Sequence, residues 1–123
     1  METPRKRFDW LATRKPEPRR MSAVLDRHAD EIAELCRRYG VARLEVFGSA
    51  ARGDDFDPAR SDVDFLVAFA DEAAVSPLEQ VFGLARELEA VLGRPVDLVE
   101  AGAVRNPYLR DAIERSRRLV YAA

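Results

Sequence analysis

Asp62 and Asp64 stand two residues apart in the run Asp62-Val63-Asp64-Phe65-Leu66-Val67, which is otherwise apolar. Such a run reads as a strand, and successive strand side chains alternate faces. Both carboxylates therefore project from one face of a sheet, while Val63 and Phe65 turn to the other. Two like charges held that close on a half-buried strand repel each other and lose hydration. A divalent cation removes both penalties, and hard cations such as Mg²⁺ prefer carboxylate oxygens.

Upstream, Gly48-Ser49 follows the apolar stretch Leu44-Glu45-Val46-Phe47 and precedes Ala50-Ala51-Arg52. A strand, a glycine turn and a helix N-terminus make an anion cradle, in which backbone N–H groups and the Ser49 hydroxyl meet phosphate oxygens. Either motif alone is weak, since Gly-Ser is an ordinary turn dipeptide and Asp-x-Asp is common on solvated faces. Together they outline a site for nucleotidyl transfer.

Periodicity places these motifs on elements. Leu25, His28, Ile32, Leu35 and Tyr39 fall on one face of a helix over 22–39, which Gly40 ends. His28 and Cys36 on that stripe read as core residues, not as a base or a nucleophile. Strands are expected at 41–47, 62–69 and 95–100, with a turn and short helix over 48–53 and a loop over 54–60. Ser76-Pro77-Leu78-Glu79 is a capping box. The helix it starts carries Leu78, Val81, Phe82, Ala85, Leu88 and Leu92 and stops at Gly93-Arg94-Pro95. Asn106-Pro107 starts a further helix, in which Leu109, Ala112 and Ile113 face inward. Arg118–Tyr121 is extended, and Arg110, Arg115, Arg117 and Arg118 read as a solvated face.

Gly48-Ser49-Ala50-Ala51-Arg52-Gly53 with Ser61-Asp62-Val63-Asp64-Phe65-Leu66-Val67 resembles the signature of the polymerase-β-type nucleotidyltransferase superfamily, and in this form its minimal branch, the MNT proteins. The resemblance covers roughly residues 22–121. It implies an α/β (α+β) fold, a small mixed β-sheet flanked by helices in a single domain, and a third carboxylate on a later strand. Asp97, alone among apolar residues in Val96–Val99, offers that position. On this reading Asp62, Asp64 and Asp97 hold two Mg²⁺ ions. Gly48 lets the backbone approach the phosphates, Ser49 donates a hydrogen bond to them, and Arg52 adds a positive group. ATP is the implied nucleotide. The implied partner is a HEPN-domain toxin, AMP being transferred to a tyrosine hydroxyl with this chain as antitoxin.

Two rival readings stay open: an antitoxin that works by binding alone, and a transferase for a small molecule of the aminoglycoside type. The intact carboxylates argue against the first. At 123 residues the chain has no room for a separate substrate domain, which argues against the second and leaves the acceptor surface to a homodimer or another protein. Apolar residues make up 47% and charged ones 34%, as in ordinary globular proteins. No apolar run approaches the roughly 20 residues of a membrane span. One cysteine permits no internal disulfide, which points to a reducing, cytoplasmic compartment. Residues 1–20 carry seven basic and three acidic side chains, a net of +4, and read as a flexible basic arm before a minimal nucleotidyltransferase domain at 21–123. That charge is a weak footprint for nucleic acid, despite Phe8 and Trp10.

Overall fold

The computed structural model describes residues 23–52, 62–70 and 76–123; the basic arm and the loop over 54–60 lie outside them. The helices are α1 (Ala23–Arg27), α2 (Ala29–Arg38), α3 (Ser49–Arg52), α4 (Pro77–Leu92) and α5 (Pro107–Ser116). The strands are β1 (Val41–Phe47), β2 (Val63–Phe69), β3 (Val96–Glu100) and β4 (Arg118–Ala122), with a 3₁₀ turn at Ala101–Ala103.

The four strands form one mixed sheet in the order β3-β2-β1-β4. β1 pairs antiparallel with both β2 and β4, and β2 pairs parallel with β3. The parallel pair needs a crossover, and α4 supplies it. One sheet face buries Leu44, Val46, Val63, Phe65 and Val67 against α1, α2 and α4. The other packs Phe47, Leu66 and Ala68 against Ala101 and Ile113, under the 3₁₀ turn and α5.

Local signals explain the boundaries. The Ser76 hydroxyl accepts from the Glu79 amide at 3.2 Å, and Asn106 Oδ1 accepts from Tyr108 and Leu109. Gly93 closes α4 at φ +73°.

Four expectations need correction. The first helix is interrupted at His28, which is partly exposed with Nδ1 2.6 Å from Glu31 Oε1, so it pairs with a surface carboxylate and is not a core residue. On α4 the buried stripe is Gln80, Gly83, Leu84, Leu88 and Leu92, whereas Leu78 and Phe82 are 67% and 60% exposed. The helix carries two apolar stripes, and close approach of α2 selects between them. A Cβ on Gly83 would lie 2.7 Å from the Tyr39 ring, and Gln80 donates to the Tyr39 carbonyl at 3.1 Å. Each leucine on the buried stripe contributes about 1.5–3 kcal/mol by leaving water. Arg117 and Arg118 are buried, so the arginine-rich end is not uniformly solvated, and Ala112, expected to face inward, is exposed. Cys36 is buried, its thiol pushed up to about 12 mainly by burial, which leaves it a packing residue.

Candidate active site

β2 and β3 bring two of the three carboxylates together. In the parallel register Asp64 stands beside Asp97, and across the antiparallel pair Asp64 faces Phe47. Register partners share a face, so Asp64 and Asp97 both point to the α5 side of the sheet. Asp62 lies just before β2 and is exposed, as is Asp97; Asp64 alone is half-buried. The isolation of Asp97 in an apolar strand therefore marks a projecting carboxylate at the sheet edge and not a buried one.

The glycine turn closes directly on this set. Gly48 sits at φ +78°, and a Cβ built there would lie 3.0 Å from Asp64 Oδ2. Left-handed backbone strains any side chain there, and a Cβ would have to displace the Asp64 carboxylate by a few tenths of an ångström. The Gly48 carbonyl accepts from the Ala51 amide at 3.1 Å, turning the chain into α3. The Gly48 amide does not face outward as an open cradle would require; it donates to Ser116 Oγ at 2.9 Å. The side chains of Ser49 and Arg52 lie outside the described residues, so the structure leaves their roles where the sequence put them.

Asp64 carries the electrostatic signature of the site. Burial, then the neighbouring Asp97 and Asp62, push its carboxyl up to about 6 from the ordinary 3.8. A group that all three effects disfavour as an anion is one that a cation would relieve. Among the described residues no group of three or more His, Cys, Asp or Glu is placed to hold a metal ion by itself. The carboxylates instead form an open face, which fits Mg²⁺, an ion held by one or two carboxylates and completed by substrate phosphates.

Support comes from residues whose role the motif did not announce. Glu45, on β1 two residues before Phe47, is fully buried. It accepts from Arg117 Nε at 2.8 Å and Nη2 at 3.1 Å, and from Arg43 Nε at 2.6 Å. The signal was available, because Glu45 is the one charge within Leu44–Phe47, as Asp97 is within Val96–Val99.

The nucleotidyltransferase domain family matches residues 30–120. The chain belongs to that family, the class that the paired carboxylates and glycine turn define. Within it, the chain is 34% identical to the protein adenylyltransferase MntA of Thermococcus cleftensis over 101 residues, covering 82% of this chain and 91% of that protein. It is 35% identical over 98 residues to a candidate protein adenylyltransferase of Methanocaldococcus jannaschii, covering 80% and 90%. Among solved structures, a candidate minimal nucleotidyltransferase aligns at TM-score 0.63 and 32% identity, covering 83% of this chain and 98% of that one. A complex of a tri-AMPylated Shewanella oneidensis HEPN toxin with MNT antitoxin aligns at TM-score 0.56 and 20% identity, covering 80% and 73%, a likeness of fold. Among the described residues no helix is long and apolar enough to cross a membrane.

One prediction tests the turn. Gly48→Val should reduce Mg·ATP affinity at least about tenfold, because the new side chain meets Asp64 and forces a φ that valine avoids. Isothermal titration of folded protein measures it, and wild-type affinity would remove the turn from the site.

Proposed function

We propose that this chain is a Mg²⁺-dependent adenylyltransferase that moves AMP from ATP to a hydroxyl of a HEPN-type partner protein, a tyrosine, and thereby silences it as an antitoxin. The observation that carries the reading is Asp64 beside Asp97 in register, with Gly48 packed on Asp64. The relatives named as protein adenylyltransferases and the fold shared with a toxin–antitoxin complex support the choice of a protein acceptor.

In this reaction the acceptor oxygen attacks the α-phosphorus of ATP, the bond to the β-phosphate oxygen breaks, pyrophosphate leaves, and the hydroxyl proton passes to solvent water. Asp62, Asp64 and Asp97 would hold Mg²⁺, which supplies charge neutralisation on the triphosphate and a lowered pKa at the attacking hydroxyl. Asp64, half-buried at the centre of the set, fixes where the α-phosphate rests. Asp97, exposed on an edge strand, is the group we place nearest the incoming acceptor and its departing proton. The Gly48 turn keeps side-chain bulk away from Asp64. Ser49 and Arg52 follow it in sequence, and we assign them to the phosphates.

Intact-mass spectrometry decides the matter. Incubated with ATP, Mg²⁺ and its cognate partner, the wild type should add one or more AMP masses to that partner, and Asp62→Ala/Asp64→Ala should add none. An unmodified partner silenced equally by both proteins would make this an antitoxin that acts by binding.

A further inference from the structure

We propose that Ser116, at the C-terminal end of α5, is a positioning residue for nucleotide binding, acting through the Gly48 amide. The inference rests on the Gly48 turn being the phosphate side of the site. Ser116 is 68 residues from Gly48 in sequence and only 5% exposed. Its Oγ receives the Gly48 N–H at 2.9 Å and itself donates to the Ala112 carbonyl at 3.0 Å. The second bond commits the hydroxyl proton to the helix, so a lone pair is what the hydroxyl offers to Gly48. The peptide plane entering the turn is thereby oriented at its nitrogen.

The anchor itself is held. Arg117 follows Ser116, and its guanidinium binds Glu45 of β1 through two hydrogen bonds at 2.8 and 3.1 Å. Its amide caps α5 on the Ile113 carbonyl at 2.8 Å. Glu45 lies three residues before Gly48 on the strand that delivers the turn. The end of α5 is therefore fixed to β1 at Glu45 and to the turn at Gly48. With the turn so close to Asp64 Oδ2, a few tenths of an ångström at Gly48 is movement toward or away from the carboxylate set. The Ser116 hydroxyl spends its hydrogen bonds on Gly48 and Ala112, so its effect passes through one amide.

Three variants test it by isothermal titration with Mg·ATP, each at a temperature where thermal melts show it fully folded. Ser116→Ala should weaken Mg·ATP binding about fivefold to tenfold, the worth of one neutral hydrogen bond. Ser116→Thr, which keeps the hydroxyl, should restore affinity to within about twofold. If the alanine variant does not fold, Ser116→Cys, similar in shape but a poor acceptor, takes its place with the same expected loss. A purely structural role predicts a lower melting temperature with unchanged affinity in the folded protein, and that result overturns the proposal. Failure of the threonine variant to recover affinity also overturns it. Absence of Mg·ATP binding by the wild type is a different failure: it removes the nucleotide site itself.

Discussion

Asparagine in place of Asp64 should lower AMP transfer at least about a thousandfold and, in metal-free buffer near neutral pH, give a protein more stable than the wild type. The first effect follows from losing one charged oxygen at the centre of the carboxylate set, where the ion and α-phosphate would be held; such interactions supply several kcal/mol. The second follows from the Asp64 carboxyl, raised from 3.8 to about 6 by burial and by Asp97 and Asp62. A raised folded-state value means that folding favours the protonated acid. That contribution is fully present below about pH 4, the unfolded value, and is lost as pH rises through about 6. Asparagine does not titrate, so its advantage should be absent near pH 4 and complete above about pH 7. Because Asp64 is half-buried and water screens part of the repulsion, the gain should be about 1–2 kcal/mol, less than the full shift implies. Melting curves at several pH values, with EDTA and then with Mg²⁺, measure it. A wild type as stable as the variant at neutral pH without metal would mean that the carboxylates do not strain one another.

The placement of the proposed carboxylate site was legible because its geometry is written in adjacent residues. Asp62-Val63-Asp64 on an apolar strand, and Gly48 between a strand and a helix, carry their geometry in spacing alone. The pairing of Asp64 with Asp97 was legible only as a likeness, since register between β2 and β3 depends on the α4 crossover and not on local sequence. Periodicity could not choose between the two stripes of α4. Gly83 is where Tyr39 packs closely and fixes the rotation. Periodicity places His28 inward because a helical stripe does not reveal a break within it. The α5–β1 anchor was the least visible feature: the partners of Glu45 and Gly48 come from residues 116 and 117, near the far end of the chain. Arg117 in sequence is one arginine among several. Only β4 folding back beside β1 makes it a core residue.

That burial gives the second large effect. Arg117 is 2% exposed and Glu45 fully buried, and Arg117 also lies 3.5 Å from Glu114. Arg117→Met should destabilise the fold by roughly 3 kcal/mol, because it leaves a carboxylate in the core with less than its native compensation. The value is at the low end for a broken buried pair, since Arg43 still reaches Glu45 at 2.6 Å. For a domain of this size that corresponds to a melting temperature lower by more than about 10 °C. Glu45→Leu alone should cost a similar amount by taking from the buried guanidinium its two shortest carboxylate contacts. Combining Glu45→Leu with Arg117→Met should recover much of the loss, since apolar replacement of a whole buried pair is often neutral. A double-mutant cycle by chemical denaturation gives the coupling directly. Near-additive losses would mean that the two side chains contribute as packing volume and not as an ion pair. The recovered double variant has a further use: its carboxylates and its Ser116–Gly48 hydrogen bond are intact, but the guanidinium that ties α5 to β1 is gone. If that tie holds the turn in place, the double variant should fold well and still bind Mg·ATP more weakly than the wild type.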